Sequence, residues 1–317
     1  MIYLSLCIPT NGISEWVFPV LDRIFSQNVD SRLYEVIVTN NGQNEDFHFA
    51  MNEYAQQHEN LIYRQTDAYM FENQIEALRL ASGQYLKFVN HRSLLEPGTI
   101  EWMISIVKKT MRDKPVIYFS NGALKSGADK QQVFDDFDGF VKGLKHIASW
   151  TTGVGVWKSD FEKIAIDHKY NKISPHSDVL FAERKKSKYI INDMKWSQDI
   201  YEGHENKGTY DLYKAFAIEE ISIILDLFKD GDISAKTLKS TIREYKKFVA
   251  DCYFIFNIMH RPCSYNIDNF DDSMGVFMSK KEIIIMAVFS IPVRMIRKIK
   301  RGLGHCFGNR HKSRIDK

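Results

Sequence analysis

Residues 83–98 read GQYLKFVNHRSLLEPG. The segment QYLKFVN (84–90) has the composition of a β-strand and runs straight into Asn90-His91-Arg92. Pro97 then starts a helix through about Arg112, because proline suits the first helical turn. Upstream, Asn73–Ala81 reads as a helix that stops at Ser82-Gly83. Further out, YLSLCIP (3–9) and YEVIVTN (34–40) are strands, and Leu61–Gln65 is a short one. Helices are expected over Glu15–Gln27, with Ser14 as N-cap, and over Glu45–Gln57. VIYFSN (116–121) is another strand. This β-α-β-α order predicts an α/β fold with a mainly parallel sheet flanked by helices. Ligands of such sheets bind outside the carboxyl ends of the strands. That places the informative loops at Pro9–Gly12, Asn40–Gln43 and Asn90–Ser93.

Beyond residue 130 the pattern is mixed. Gly153–Trp157 reads as a strand entering a short helix at Ser159, and Ser174-Pro175 precedes a helix near His176–Arg184. From Thr209 the chain is helical: Thr209–Lys229 and Ser234–Met259 form a hairpin punctuated by Gly231. The expected organisation is a domain over 1–220, a helical hairpin extension over 221–279 and a tail over 280–317.

The 317 residues are 44% hydrophobic and 26% charged, enough for a core and too apolar for a disordered chain. The four cysteines, Cys7, Cys252, Cys263 and Cys306, are too scattered for a disulfide scaffold or a zinc knuckle. The phosphate-binding Gly-x-x-x-x-Gly-Lys loop, Gly-x-Gly-x-x-Gly, His-Glu-x-x-His and the Gly-x-Ser-x-Gly elbow are all absent from the sequence.

The net charge of +3 is unevenly placed. Residues 294–317 hold nine Lys/Arg against one acid, Asp316, a net +8 that leaves residues 1–293 at −5. No nucleic-acid partner is expected. Ile283–Val293 is an uncharged run of eleven residues, short of the roughly 20 that span a bilayer. Phe289, Val293, Ile296, Ile299 and Leu303 recur at helical spacing among the basic residues, which fits a helix lying on an anionic membrane surface. The other reading is a core-docked last helix with a solvated basic tail. The opening MIYLSLCIPTNG has neither a positive n-region nor a small-residue cleavage site. The expected location is therefore cytoplasmic, peripheral to the inner face of the plasma membrane.

LSLCIPT, EVIVTNNG and ALRLASGQYLKFVNHRSLLEPGTIEWM, in that order and spacing, resemble the nucleotide-sugar domain of bacterial family 2 glycosyltransferases of GT-A fold. The surface-polysaccharide type, the abequosyltransferase-like group, is the nearest in flavour. The resemblance covers roughly residues 1–220. It implies an inverting transferase that moves a sugar from a nucleotide-sugar donor to a lipid-linked or polysaccharide acceptor. It also implies donor contacts from Pro9, Thr10 and Asn11 after the first strand. After the second strand the family's base-contacting Asp is replaced by Asn40, followed by Asn41 and Gly42; a plain turn is the alternative there. Asn73 would face the nucleotide or cap its helix.

The family's Asp-x-Asp slot, which holds a divalent metal on the diphosphate, here reads Asn90-His91-Arg92. Mg²⁺ and Mn²⁺ prefer carboxylate oxygens; Asn90 could give one neutral oxygen and His91 could suit Mn²⁺, so either ion stays possible, but no metal ligand is assigned and metal-independent transfer is one expectation. Arg92 would then take the metal's place, since a guanidinium pairs with a diphosphate in two-pronged fashion. A scaffold that has lost catalysis and serves as a binding or assembly protein is the other expectation. The family's general base maps to Asp178, in SPHSDVL (174–180); a first-turn helix acid is the alternative. His204 would contact the diphosphate, or is simply solvated. Trp150 and Trp157 would floor an acceptor sugar, or pack in the core.

Overall fold

The computed structural model describes residues 1–127, 130–200 and 210–289. These form two compact units: the first takes the described residues up to 200 together with 222–242, the second takes 210–221 and 243–289.

The first unit begins with β1 (Leu4–Thr10), α1 (Ser14–Phe25), β2 (Tyr34–Asn40), α2 (Glu45–Ala55), β3 (Leu61–Gln65), α3 (Asn73–Leu80) and β4 (Tyr85–Phe88). There follow β5 (Ser93–Leu95), α4 (Thr99–Thr110), β6 (Val116–Phe119), β7 (Gln131–Phe134) and α5 (Phe137–Leu144). Then come β8 (Gly155–Trp157), α6 (Lys158–Phe161), α7 (Pro175–Leu180), β9 (Tyr189–Asn192) and β10 (Ser197–Asp199).

The main sheet has the order β3-β2-β1-β4-β8, with its first four strands parallel and β8 antiparallel on β4. The mainly parallel sheet expected from the sequence is therefore present. The strand at 116–119 differs from expectation in joining a separate sheet of order β6-β9-β7. A short antiparallel pair, β10 with β5, completes the unit.

Burial on both faces explains why β1 and β2 read as continuous apolar runs. Leu4, Leu6 and Ile8 join Val36 and Val38 in a core with Val17, Leu21 and Ile24 of α1 and Ile100, Met103 and Val107 of α4. The alternate residues face α3, where the Cys7 thiol lies 3.7 Å from the Ala77 carbonyl. At the amino edge the buried Glu35 carboxylate accepts from the Ser5 hydroxyl at 2.6 Å, the Ser82 hydroxyl at 2.8 Å and the Gly83 amide at 3.0 Å. A Cβ on Gly83 would meet the Ser5 hydroxyl at 2.6 Å, so the turn before β4 needs glycine.

Helix α1 starts at Ser14 with Ile13 in the N-cap position, one residue before the expected cap. The helix expected from Pro97 begins at Thr99, after Gly98 takes a left-handed φ of +77°.

The second unit contains α8 (Leu212–Lys214), which continues through a π-turn (Ala215–Glu219) into the first residues of α9 (Glu220–Lys229), whose remainder belongs to the first unit. It also holds the end of α10 (Ala235–Tyr253), α11 (Phe270–Ser273) and α12 (Lys280–Phe289). Of the segment expected to be helical over 209–259, residues 212–229 and 235–258 are helical, with π-turns at Ala215–Glu219 and Phe254–Ile258. Among the described residues no helix is long and apolar enough to cross a membrane.

Candidate active site at the carboxyl edge of the sheet

Parallel strands deliver their carboxyl ends to one edge. Here β1 ends in Thr10, β2 in Asn40, and β4 runs into Asn90-His91-Arg92. The Thr10 hydroxyl shares a 2.8 Å hydrogen bond with Nδ1 of His91 and accepts from the Gly12 amide at 3.1 Å. The Trp16 ring meets the His91 imidazole edge-on, with centroids 5.0 Å apart. Burial, and then the neighbouring Arg92 cation, push the His91 pKa down to about 3, so the ring is neutral at physiological pH.

Arg92 is the centre of this cluster. Its side chain is only 14% exposed, and its guanidinium carbon lies 5.9 Å from the Trp16 ring centroid. Nη2 lies 3.5 Å from the Asp199 carboxylate, while Nη1 is buried with no hydrogen-bond partner. Asp199 comes from β10, where it sits opposite Ser93 and accepts from the Ser93 hydroxyl at 2.7 Å. The strand itself is held by Asn121, whose Oδ1 accepts from the amides of Trp196 at 2.8 Å and Ser197 at 3.1 Å. A nearly buried guanidinium with an unpartnered N–H has hydrogen-bonding capacity left for an anionic oxygen.

The other expected residues divide into those left open and those consumed by the fold. Asn11 is exposed, Pro9 half-buried, and Trp150 is 38% exposed beside Thr151. Asn40 is fully buried: Oδ1 accepts from the Gly42 amide at 2.9 Å and Nδ2 donates to Gln65 at 2.7 Å. Its amide therefore shapes the turn and is not turned to a base. Asn41 donates to the Ala68 and Met70 carbonyls, each at 2.9 Å. Gly42 is required because a Cβ there would fall 1.9 Å from the Asn11 carbonyl oxygen.

Asn73 corrects both readings of it. It neither faces a ligand nor caps its helix, but is buried and donates to the Thr10 carbonyl at 3.1 Å and the Thr39 carbonyl at 2.9 Å. Its Oδ1 accepts from Thr66 at 3.0 Å, so one amide ties the ends of β1 and β2 to the residue after β3. Trp157 follows the core reading and not the acceptor one. It is 1% exposed, packs against Tyr85 and donates to the Pro115 carbonyl at 2.8 Å, which makes it a core residue.

Asp178 sits in the first turn of α7, where the neighbouring His176 bonds the Thr151 hydroxyl. It lines a cleft of about 420 Å³ with Asp160, His168, Glu183, Arg184 and Asp226. Burial raises the Asp178 pKa, and the Asn171 amide, donating at 2.5 Å, works against that rise. His204 lies outside the described residues, as does the basic segment from 294 onward.

Spacing alone did not reveal Asp199, Trp16 or the network at the start of α7. There the buried His176 bonds the Ser149 carbonyl at 2.9 Å and the Thr151 hydroxyl at 3.2 Å, and burial lowers its pKa to about 4.

As a divalent-metal site the cluster fits poorly. Asn90 Oδ1 already accepts from the Arg92 amide at 3.1 Å, His91 is engaged with Thr10, and the Asp199 carboxylate is shared by Arg92 and Ser93. Among the described residues no three His, Cys, Asp or Glu side chains converge to hold an ion.

This fold is shared with glycosyltransferase structures of the GT-A type. S. aureus TarS 1–349 superposes with a TM-score of 0.56 at 13% identity, over 80% of this chain and 74% of that one. Its complex with UDP-GlcNAc gives 0.57 at 12% identity, over 87% and 80%. A mannosyltransferase from Pyrobaculum calidifontis, in complex with GDP-Man and Mn²⁺, gives 0.51 at 12% identity, over 76% and 68%. No protein-family model and no curated protein matches the sequence.

Proposed function

We propose that the chain is an inverting glycosyltransferase using a nucleoside-diphosphate sugar. The observation that carries this is Arg92: a nearly buried cation with one unpartnered nitrogen, at the strand edge where the resemblance puts the donor diphosphate. The solved neighbours hold UDP-GlcNAc, UDP or GDP-Man, which supports a donor of that class. In the proposed reaction an acceptor hydroxyl attacks the anomeric carbon from the face opposite the nucleotide and gives its proton to a carboxylate base, the role the resemblance assigns to Asp178. The bond from that carbon to the phosphate oxygen breaks, and the diphosphate leaves with its electron pair. Arg92 stabilises the charge that develops on it, a role open to a fixed cation in a water-poor site. The acceptor is a lipid-linked or polysaccharide glycan of the bacterial surface, met at the cytoplasmic face of the membrane.

Metal-independent transfer is part of the proposal, because the residues beside Arg92 do not make a divalent-ion site. A second reading, a GT-A scaffold that binds without turning over, is favoured by one observation: Asp199, the carboxylate beside Arg92, is already paired. Incubating the full chain with UDP- and GDP-sugars, with and without excess EDTA, separates the readings. Donor hydrolysis or transfer that survives EDTA is expected. Thermal stabilisation by a donor without any turnover would favour the scaffold. Turnover abolished by EDTA and restored by Mn²⁺ would overturn the role given to Arg92.

A further inference from the structure

We infer that the outward face of α12 is a lipid-docking surface, inserted into an anionic bilayer beside the basic segment that follows it. The inference rests on the membrane location proposed above and names the part of the described chain that meets the lipid. The apolar run starting at Ile283 does not face one way. Ile283 and Ala287 are fully buried in the second unit, whereas Ile285 and Val288 are 44% and 47% exposed and Phe289 is 76% exposed. Positions 285, 288 and 289 are spaced i, i+3 and i+4, so the three side chains share one face of the helix. The core-docked and membrane-facing readings of this run therefore each describe one side of α12.

The helix is fixed in its unit independently of that face. Glu282 accepts from Lys246 of α10 at 2.7 Å, and Lys280 pairs with Asp271 of α11 at 2.6 Å. An anchored helix with three large apolar side chains on its open side suits an interface where one side is hydrocarbon and the other is wet. Charge selects the occupant. The next Lys/Arg after this face is Arg294, and the nine Lys/Arg of 294–317 complement anionic headgroups. A second copy of the chain would bring the same basic segment, and like charges would meet.

The test is co-sedimentation of the full chain with phosphatidylcholine vesicles, with and without phosphatidylglycerol. Three chains are compared: the parent, Ile285→Ser/Val288→Ser/Phe289→Ser, and Arg294→Gln/Arg297→Gln/Lys298→Gln/Lys300→Gln. The parent is expected to bind the phosphatidylglycerol vesicles, and the triple serine chain to bind at least tenfold more weakly with unchanged circular dichroism and melting. Parent-like binding by the triple serine chain, with loss only in the glutamine chain, would overturn the role of α12 and leave the membrane location standing. Failure of the parent to bind either vesicle would overturn both. A parent dimer in light scattering that the serine substitutions dissolve would assign the face to a second copy instead.

Discussion

Asp199 approaches Arg92 to 3.5 Å from a strand that pairs with the chain immediately after Arg92. The carboxylate is 46% exposed and the guanidinium 14%, so the pair sits where the buried edge of the sheet opens to solvent. An acid thus stands beside the cation at the end of β4, in the slot where the sequence resemblance leads one to expect acids. Arg92→Gln should weaken binding of pyrophosphate, the probe common to all such donors, by about 10–100-fold, the loss of a hydrogen bond to a charged group. Arg92→Lys should recover little of it, because a point charge cannot reproduce a planar fork. Titration calorimetry on both variants checks this; parent-like affinity in Arg92→Gln would remove Arg92 from the donor site.

Asp199→Asn isolates the charge from the geometry. The amide oxygen can still accept from Ser93, so the β5–β10 pairing is retained. With the negative charge gone, the guanidinium no longer divides itself between Asp199 and an incoming anion. Pyrophosphate affinity should rise about two- to fivefold at low salt, the scale of a partly exposed ion pair, and the gain should shrink as salt is added. A loss of affinity would instead mean that Asp199 holds Arg92 in its binding position.

The edge of the sheet was legible because β1 and β2 are buried on both faces and carry no polar interruption at the core side. β4 was legible despite Lys87, whose charge the tertiary structure absorbs. Lys87 Nζ donates to the Phe88 carbonyl at 2.7 Å and lies 4.6 Å from the Trp196 ring centroid. Asp199 was not legible, because its pairing with Ser93 joins segments far apart in sequence and leaves no local spacing. Asn73 misled because a buried amide bridging two strand ends looks, in sequence, like any polar residue opening a helix. Trp157 stayed open between two readings because an indole in a strand satisfies its N–H equally well on a sugar or on a carbonyl such as that of Pro115.

The two buried histidines set the acid limb of stability. The folded pKa values of about 3 for His91 and about 4 for His176 lie below the unfolded value near 6.5, so the native state prefers the neutral rings. Their contribution is fully present above about pH 6.5 and is lost as pH falls toward those folded values. Each ring adds up to ~1.4 kcal/mol of lost stability per pH unit in that window. His176→Gln keeps a donor toward Ser149 and removes one titrating group. Denaturant melts between pH 7 and 4 should show its slope flattened by up to that amount; an unchanged slope would mean that His176 is solvated in the native state.

Asp178 titrates in the opposite sense. Burial raises its folded pKa, so its stabilising contribution belongs to the protonated form, is present below the ordinary carboxylate range and disappears as pH rises through the folded value. At neutral pH the ionised side chain is a cost that the Asn171 amide offsets only in part. Asp178→Asn retains an acceptor for that amide and removes the charge, so the melting temperature at pH 7 should rise by about 2 °C, with the advantage shrinking toward pH 4. The same variant tests the base. As the proposed general base, Asp178 takes the proton of the acceptor hydroxyl, which an amide cannot do. Transfer by Asp178→Asn should therefore fall by about 10²–10⁴-fold, the scale of a lost general base, with pyrophosphate binding unchanged. Transfer within about threefold of the parent would remove Asp178 from the reaction.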